Sequence, residues 1–196
     1  MVFDLFKSRR RARLRAMPPP PRWREILEQN LPIFNRLTEE DQSELLGHAK
    51  VFISEKHFEG AGGLQLTDEI RITIAGQACL LLLHRDTDYY PELTSIIVYP
   101  SGYTATEERH IGGGIWEEGA EDRLGHTGLR LSALVLAWDA VRHGAAAPTD
   151  GQNLVLHEFA HQLEFENQSV DGTPALETRG DLIARARVMS AGFDAL

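Results

Sequence analysis

Asn153 to Phe165 reads NLVLHEFAHQLEF, with His157-Glu158-Phe159-Ala160-His161 at its centre. The stretch lacks Gly and Pro and has helical spacing, which sets His157 and His161 one turn apart, with Cβ atoms about 6 Å from each other. Two imidazoles so placed can bind one Zn²⁺. Glu158, beside the first, holds the position from which a carboxylate takes the proton of a metal-activated water. Leu154, Val155, Leu156, Phe159, Ala160 and Leu163 make the helix apolar on nearly all sides. The histidines are therefore expected on a largely buried helix, where polar groups need partners. A chance match on a solvated face is the alternative, and the apolar flanks argue against it.

Upstream of the motif, Gly144 to Gly151 is small and turn-forming, so the helix is expected to begin near Gly151 to Asn153, capped by Asp150 or Asn153. Asp139 to Gln152 reads as a connection, and His143 within it as a surface or loop-bonding residue. Gly128 to Trp138 first alternates and then turns apolar on both sides, as a strand does. Gly112-Gly113-Gly114 reads as a bulge or hairpin turn. Ser95 to Tyr99, SIIVY, is a short strand stopped by Pro100. These segments predict three or four strands lying before the motif helix, one of which could pair with an extended substrate.

Asp68 to Leu83 is expected as a helix capped by Thr67 and apolar around most of its circumference, hence central to the domain. Cys79 on it reads as a small buried hydrophobe. Glu59 to Gly63 is a flexible turn without the Lys-Ser/Thr pair of a phosphate loop. Trp23 to Phe58 reads as two helical pieces broken at Pro32. Thr38 caps the second, ahead of Glu39, Glu40 and Asp41 in the positive end of the helix dipole. His48 and His57 read as packing or surface residues.

Residues 1–22 carry Lys7, Arg9, Arg10, Arg11, Arg13, Arg15 and Arg22, with four prolines, Pro18 to Pro21, just before the last of these. They read as a basic, Pro-rich, mobile arm, with contact of Phe3, Leu5 and Phe6 to an acidic membrane surface, or of the basic run to a nucleic acid, as the functional alternative. Residues 23–196 form the domain proper. The 196-residue chain is 42% apolar, enough for one core, and its formal charge of −9 disfavours a dedicated nucleic-acid binder. Cys79 is the single cysteine, so no intrachain disulfide forms and a cytoplasmic location is expected. No apolar run is long enough to cross a bilayer.

The chain resembles the Mlc titration factor A family of zinc-dependent peptidases, whose metal-bearing domain is similar to that of anthrax lethal factor. The resemblance rests on FISEKHFEGAGGLQLTDEIRITIAGQACLLLLH (Phe52 to His84), SIIVYPSGY (Ser95 to Tyr103), LVLAWDAVRHG (Leu134 to Gly144) and DGQNLVLHEFAHQLE (Asp150 to Glu164). It implies an α+β zincin-like metallopeptidase domain with a small mixed sheet and an HExxH helix, with His157 and His161 as zinc ligands and Glu158 as general base. It also implies hydrolysis of short or N-terminally accessible peptides, as by an aminopeptidase, and suggests as partner a cytoplasmic transcriptional repressor, Mlc.

Two departures stand out. Relatives often carry Asp where Glu164 stands. They also continue past the segment matched by Asp171-Gly172-Thr173-Pro174 to a glutamate that supplies the third ligand, whereas this chain stops at Leu196. A catalytic zinc needs three protein ligands and an open position. Within the chain, Asp181 or Glu177, or less directly Asp171, Glu164 or Glu166, are candidates, and the absence of any third in-chain ligand is the other reading. Tyr89, Tyr90, Tyr99, Tyr103 and Arg142 are available as oxyanion donors. The functional alternative to a peptidase is a catalytically incompetent member that regulates by binding a repressor or another protein.

Overall fold

The computed structural model describes residues 2–101, 133–147 and 153–166. In chain order they form helices α1 (Val2–Ala16), α2 (Pro21–Asn30) and α3 (Glu39–Glu55), strand β1 (His57–Gly60), helix α4 (Asp68–Leu80), strands β2 (Ser95–Tyr99) and β3 (Ala133–Ala137), and helices α5 (Trp138–Ala146) and α6 (Leu154–Glu166). A 3-10 turn, Phe34–Arg36, follows Pro32. The result is a mixed α/β architecture with six helices and three strands among the described residues.

The sheet has the order β1-β2-β3 and both pairings are parallel, with Phe58 opposite Ile96 and Ile96 opposite Leu134. The expected mixed sheet is thus a parallel one over the described residues. Parallel neighbours need a crossover, and α4 supplies it between β1 and β2. Two readings change with this topology. His57 to Gly60 is a strand, not the tail of a helix and a turn. Trp138 to Ala146 is a helix, not a connection, so His143 lies in its last turn. The turn proper is Gly62-Gly63, with φ of 60° and 80°, values that a Cβ would strain. The triple glycine Gly112-Gly113-Gly114 and residues 128–132 of the expected third strand lie outside the described residues.

Helix α4 is the centre of the molecule. Thr67 caps it through the Ile70 N–H, and Ile70, Ile72, Ile74, Ala75, Ala78 and Cys79 are buried. It packs against α2, α3, α5 and α6. A Cβ built on Gly76 would stand 2.5 Å from the Leu27 side chain, so glycine sets how closely α2 and α4 approach. Cys79 is fully buried, and burial raises its thiol pKa well above the ordinary value, so it stays protonated core. Helix α3 is capped by Thr38 as its sequence implies.

The N-terminal segment departs most from expectation. Lys7 to Arg15 lies within α1, and α1 packs on α3. Arg11 is buried: it donates from Nε and Nη2 to the two Glu55 carboxylate oxygens at 2.9 and 2.7 Å, pairs with Asp88, and lies over the Tyr89 ring. Burial pushes the Glu55 carboxyl up, but Arg11 more than offsets this and holds it below the usual range; Asp88 is lowered in the same way by Lys7 and Arg11. A charge density that reads as a solvated arm is therefore fastened by one arginine whose two carboxylate partners, Glu55 and Asp88, lie 44 and 77 residues further along the chain, a pairing no local pattern reveals.

Tyr89 and Tyr90, expected as possible oxyanion donors, are instead pillars of the core. Both are buried with φ near +60°, and both hydroxyls are engaged, Tyr89 with His48 Nδ1 at 2.7 Å and Tyr90 donating to the Ala78 carbonyl at 2.7 Å. Lys56 donates to the carbonyls of Tyr90 and Leu93. Left-handed backbone at two bulky residues persists where surrounding contacts over-determine it.

Candidate metal centre

The motif helix is positioned by a buried face and a polar clamp. Val155 and Phe159 are fully buried, flanked by Leu154, Gln162 and Leu163. The Phe159 ring meets Tyr90 at 4.8 Å and Phe52 at 5.6 Å, both edge-on. His157 and His161 each follow a buried residue by two positions, about 200° around the helix, so they must emerge on the opposite side. Both are exposed, and the expectation of a largely buried helix holds for one face alone.

Asn153 fixes the start of α6. Its Oδ1 accepts from the Leu156 N–H at 2.8 Å, the N-cap contact, while its Nδ2 donates to Gln77 Oε1 at 2.8 Å and to the Gly144 carbonyl at 2.9 Å. Gln77, fully buried on α4, donates in turn to the carbonyls of Thr73 and Val141. One amide pair thus joins α4, α5 and the first turn of the motif helix. Sequence reasoning missed this clamp, although a signal existed: Gln77 is a polar interruption in an otherwise apolar helix, and such a residue needs buried partners.

On the exposed face the two Nε2 atoms of His157 and His161 lie 3.2 Å apart, with ring centroids at 4.6 Å and planes nearly perpendicular. Two nitrogens each about 2.0–2.1 Å from a tetrahedral zinc stand roughly 3.3 Å apart. The donor set and its bite fit that ion. Glu158 is more enclosed than His157, at 13% side-chain exposure against 64%, and its Oε1 lies 3.8 Å from His157 Nε2. The carboxylate thus lies beside one of the two imidazole nitrogens.

Asp171, Glu177 and Asp181 lie outside the described residues, as does Tyr103; Glu164 and Glu166 fall on α6, but their side chains are not among those described. Arg142, with His143, Asp139, Gln29, Asn30 and Ala146, lines a hollow of about 450 Å³ between α2 and α5. Among the described residues one further group brings possible ligand atoms within 4.8 Å: Asp41, Glu44 and His84. There each His84 ring nitrogen faces a different carboxylate, Asp41 at 3.1 Å and Glu44 at 3.5 Å. Glu44 also accepts from the His84 N–H and from His48. That imidazole is shared between two hydrogen-bond acceptors, whereas the Nε2 atoms of the motif pair converge.

The chain is similar to an uncharacterized protein of the cyanobacterium Synechocystis, with 35% identity over 84% of this chain and 60% of that protein. It is also similar to proteins named Mlc titration factor A from Escherichia fergusonii, at 26% identity over 81% of this chain and 58% of the relative, and from Escherichia coli, at 27% over 80% and 58%. The chain thus spans about 60% of the length of these curated relatives. No helix among the described residues is long and apolar enough to cross a membrane. The family description of a glucose-regulated metallo-peptidase, M90, matches residues 5–196, nearly the whole chain from within α1 onward, and the chain belongs to that family.

Proposed function

We propose that the chain carries the zincin-like, zinc-binding part of a cytoplasmic peptidase that hydrolyses peptide bonds. The observation that carries this reading is the 3.2 Å approach of the His157 and His161 Nε2 atoms with Glu158 beside them. His157 and His161 hold the metal through Nε2, and Asp181 or Glu177 is the in-chain candidate for the third ligand. When bound, a zinc ion supplies Lewis acidity toward a peptide carbonyl and toward water. Glu158 then takes a proton from the attacking water and returns it to the leaving amine, a transfer for which a partly enclosed carboxylate is suited. The helix must hold its register while this happens, and the Asn153-Gln77 clamp supports that register. Residues 23–196 act as the metal-bearing domain, and peptides with accessible N termini are the proposed substrates, in the manner of an aminopeptidase.

The test uses protein never exposed to chelator, with zinc measured by mass spectrometry and cleavage followed on a peptide library. One zinc per chain, lost in His157→Ala and kept in Glu158→Gln with cleavage abolished, supports the peptidase. Zinc that survives His157→Ala would sink it. A second reading is favoured by the relatives named Mlc titration factor A: a regulatory protein that binds a transcriptional repressor by its surface. Repressor binding that is unchanged in both His157→Ala and Glu158→Gln, with no cleavage by the parent chain, would favour it.

A further inference from the structure

The geometry points to the outward face of α1 as a docking surface for an anionic lipid bilayer. Charge in this chain is segregated: the first 24 residues hold eight of its 20 Lys and Arg but one of its 29 Asp and Glu, so this segment is +7 and the remainder −16. The structure separates the cations of α1 by face. Lys7 and Arg11, one turn apart, turn toward the protein and are taken up by Asp88 and Glu55, with Leu14 packed beside them. Leu5, Arg9 and Arg13 form the next row at four-residue spacing, and Phe6 and Arg10 the row after it. All five are exposed. Arg9 and Arg13 make no ion pair or hydrogen bond with any described residue, while Arg10, at the border, contributes to holding the Glu55 carboxylate.

The same face carries apolar groups. Leu5 is 58% and Phe6 65% exposed, and Met17, just past the helix end, is 51% exposed; these are the exposed large hydrophobics among the described residues. Arginines alone would fit any polyanion. Arginines interleaved with Leu and Phe fit the boundary between phosphate headgroups and acyl chains, where the rings and methyls are buried and the guanidinium groups stay at the phosphates. A phosphate backbone offers Leu5 and Phe6 no apolar phase to enter, whereas the acyl boundary of a bilayer does, which favours the bilayer over a nucleic acid. The acidic remainder is repelled by an anionic surface, so α1 is the side that approaches. Few apolar anchors and a handful of charges give reversible, salt-sensitive attachment.

The experiment is co-sedimentation of the full chain with neutral phosphatidylcholine vesicles and with vesicles containing about a third phosphatidylglycerol, at low and high salt. Binding to the anionic vesicles is expected at low salt, falling steeply with added salt. It should weaken by at least about tenfold in Arg9→Glu/Arg13→Glu and several-fold in Leu5→Ser/Phe6→Ser. Because these side chains face solvent, both variants should keep the parent's thermal midpoint, which separates lost docking from lost folding. Equal binding to neutral vesicles, no binding to anionic ones, or binding that survives the charge reversal would overturn the inference. So would duplex DNA binding that exceeds vesicle binding and ignores Leu5→Ser/Phe6→Ser, since the surface would then be a nucleic-acid face.

Discussion

Glu44 and His48 on α3 have the same four-residue spacing as His157 and His161 on α6, and the two pairs have opposite fates. His48 is buried, with Nδ1 on the Tyr89 hydroxyl at 2.7 Å and Nε2 on Glu44 at 3.2 Å. The tautomer protonated at Nε2 satisfies both contacts, so this imidazole is closed. On α6 the partner at four residues is a second imidazole, and the two nitrogens face each other across an exposed gap. Neutral imidazoles offer one lone pair each, and a cation between them uses both. Spacing alone therefore decides nothing. The second residue of the pair and the side of the helix it occupies decide whether a histidine is closed within the core or presents an open nitrogen at the surface.

The sharpest test of the contrast is catalytic. Glu158→Gln should lower kcat by about 10³-fold with zinc content unchanged, measured by peptide cleavage and metal analysis. His157→Ala and His161→Ala should lose zinc and activity together but leave the metal-free fold within about 0.5 kcal/mol of the parent, because exposed side chains are being removed. A large loss of metal-free stability in either would break the comparison.

His48→Ala should behave in reverse. It leaves the buried Tyr89 hydroxyl without its partner and opens a cavity, so urea unfolding should show a loss of about 3 kcal/mol. Its zinc stoichiometry should remain that of the parent.

A smaller effect is expected from Asn153→Ala, which removes the cap and unpairs Gln77. About 1–2 kcal/mol of stability should go, together with roughly tenfold in zinc affinity, because the clamp orients the first turn of the motif helix. Asn153→Asp keeps the cap oxygen but not the donor to Gln77, and should recover part of the stability and little of the affinity.

The smallest effect is in pH. Burial, with a lesser contribution from the Arg15 charge, holds His48 below its ordinary value despite Glu44, so the folded chain resists protonation there. The unfolded chain takes up a proton near pH 6.5. Stability linked to His48 is thus fully present above that pH and is lost as pH falls below it. His48→Gln should flatten this part of a urea-stability profile between about pH 7 and pH 5. Glu55 and Asp88, both held low by partners other than His48, take over at more acidic pH and should keep their slope in that variant.

Local pattern was enough for much of this molecule. The run His157 to His161, the caps at Thr38 and Thr67, the apolar circumference of α4, the SIIVY strand and the family resemblance all rest on neighbours within a turn or two, where side-chain spacing and backbone geometry are coupled directly. What tertiary structure alone decided are the long-range choices: that Arg11 reaches Glu55 and Asp88 and turns an apparent arm into a docked helix, that the strands run parallel around α4, that Tyr89 and Tyr90 stand in the core, and that Gln77 meets Asn153 across 76 residues. Each depends on desolvated polar groups finding partners, and the energy of such a pairing depends on distance in space, for which separation along the chain is no guide.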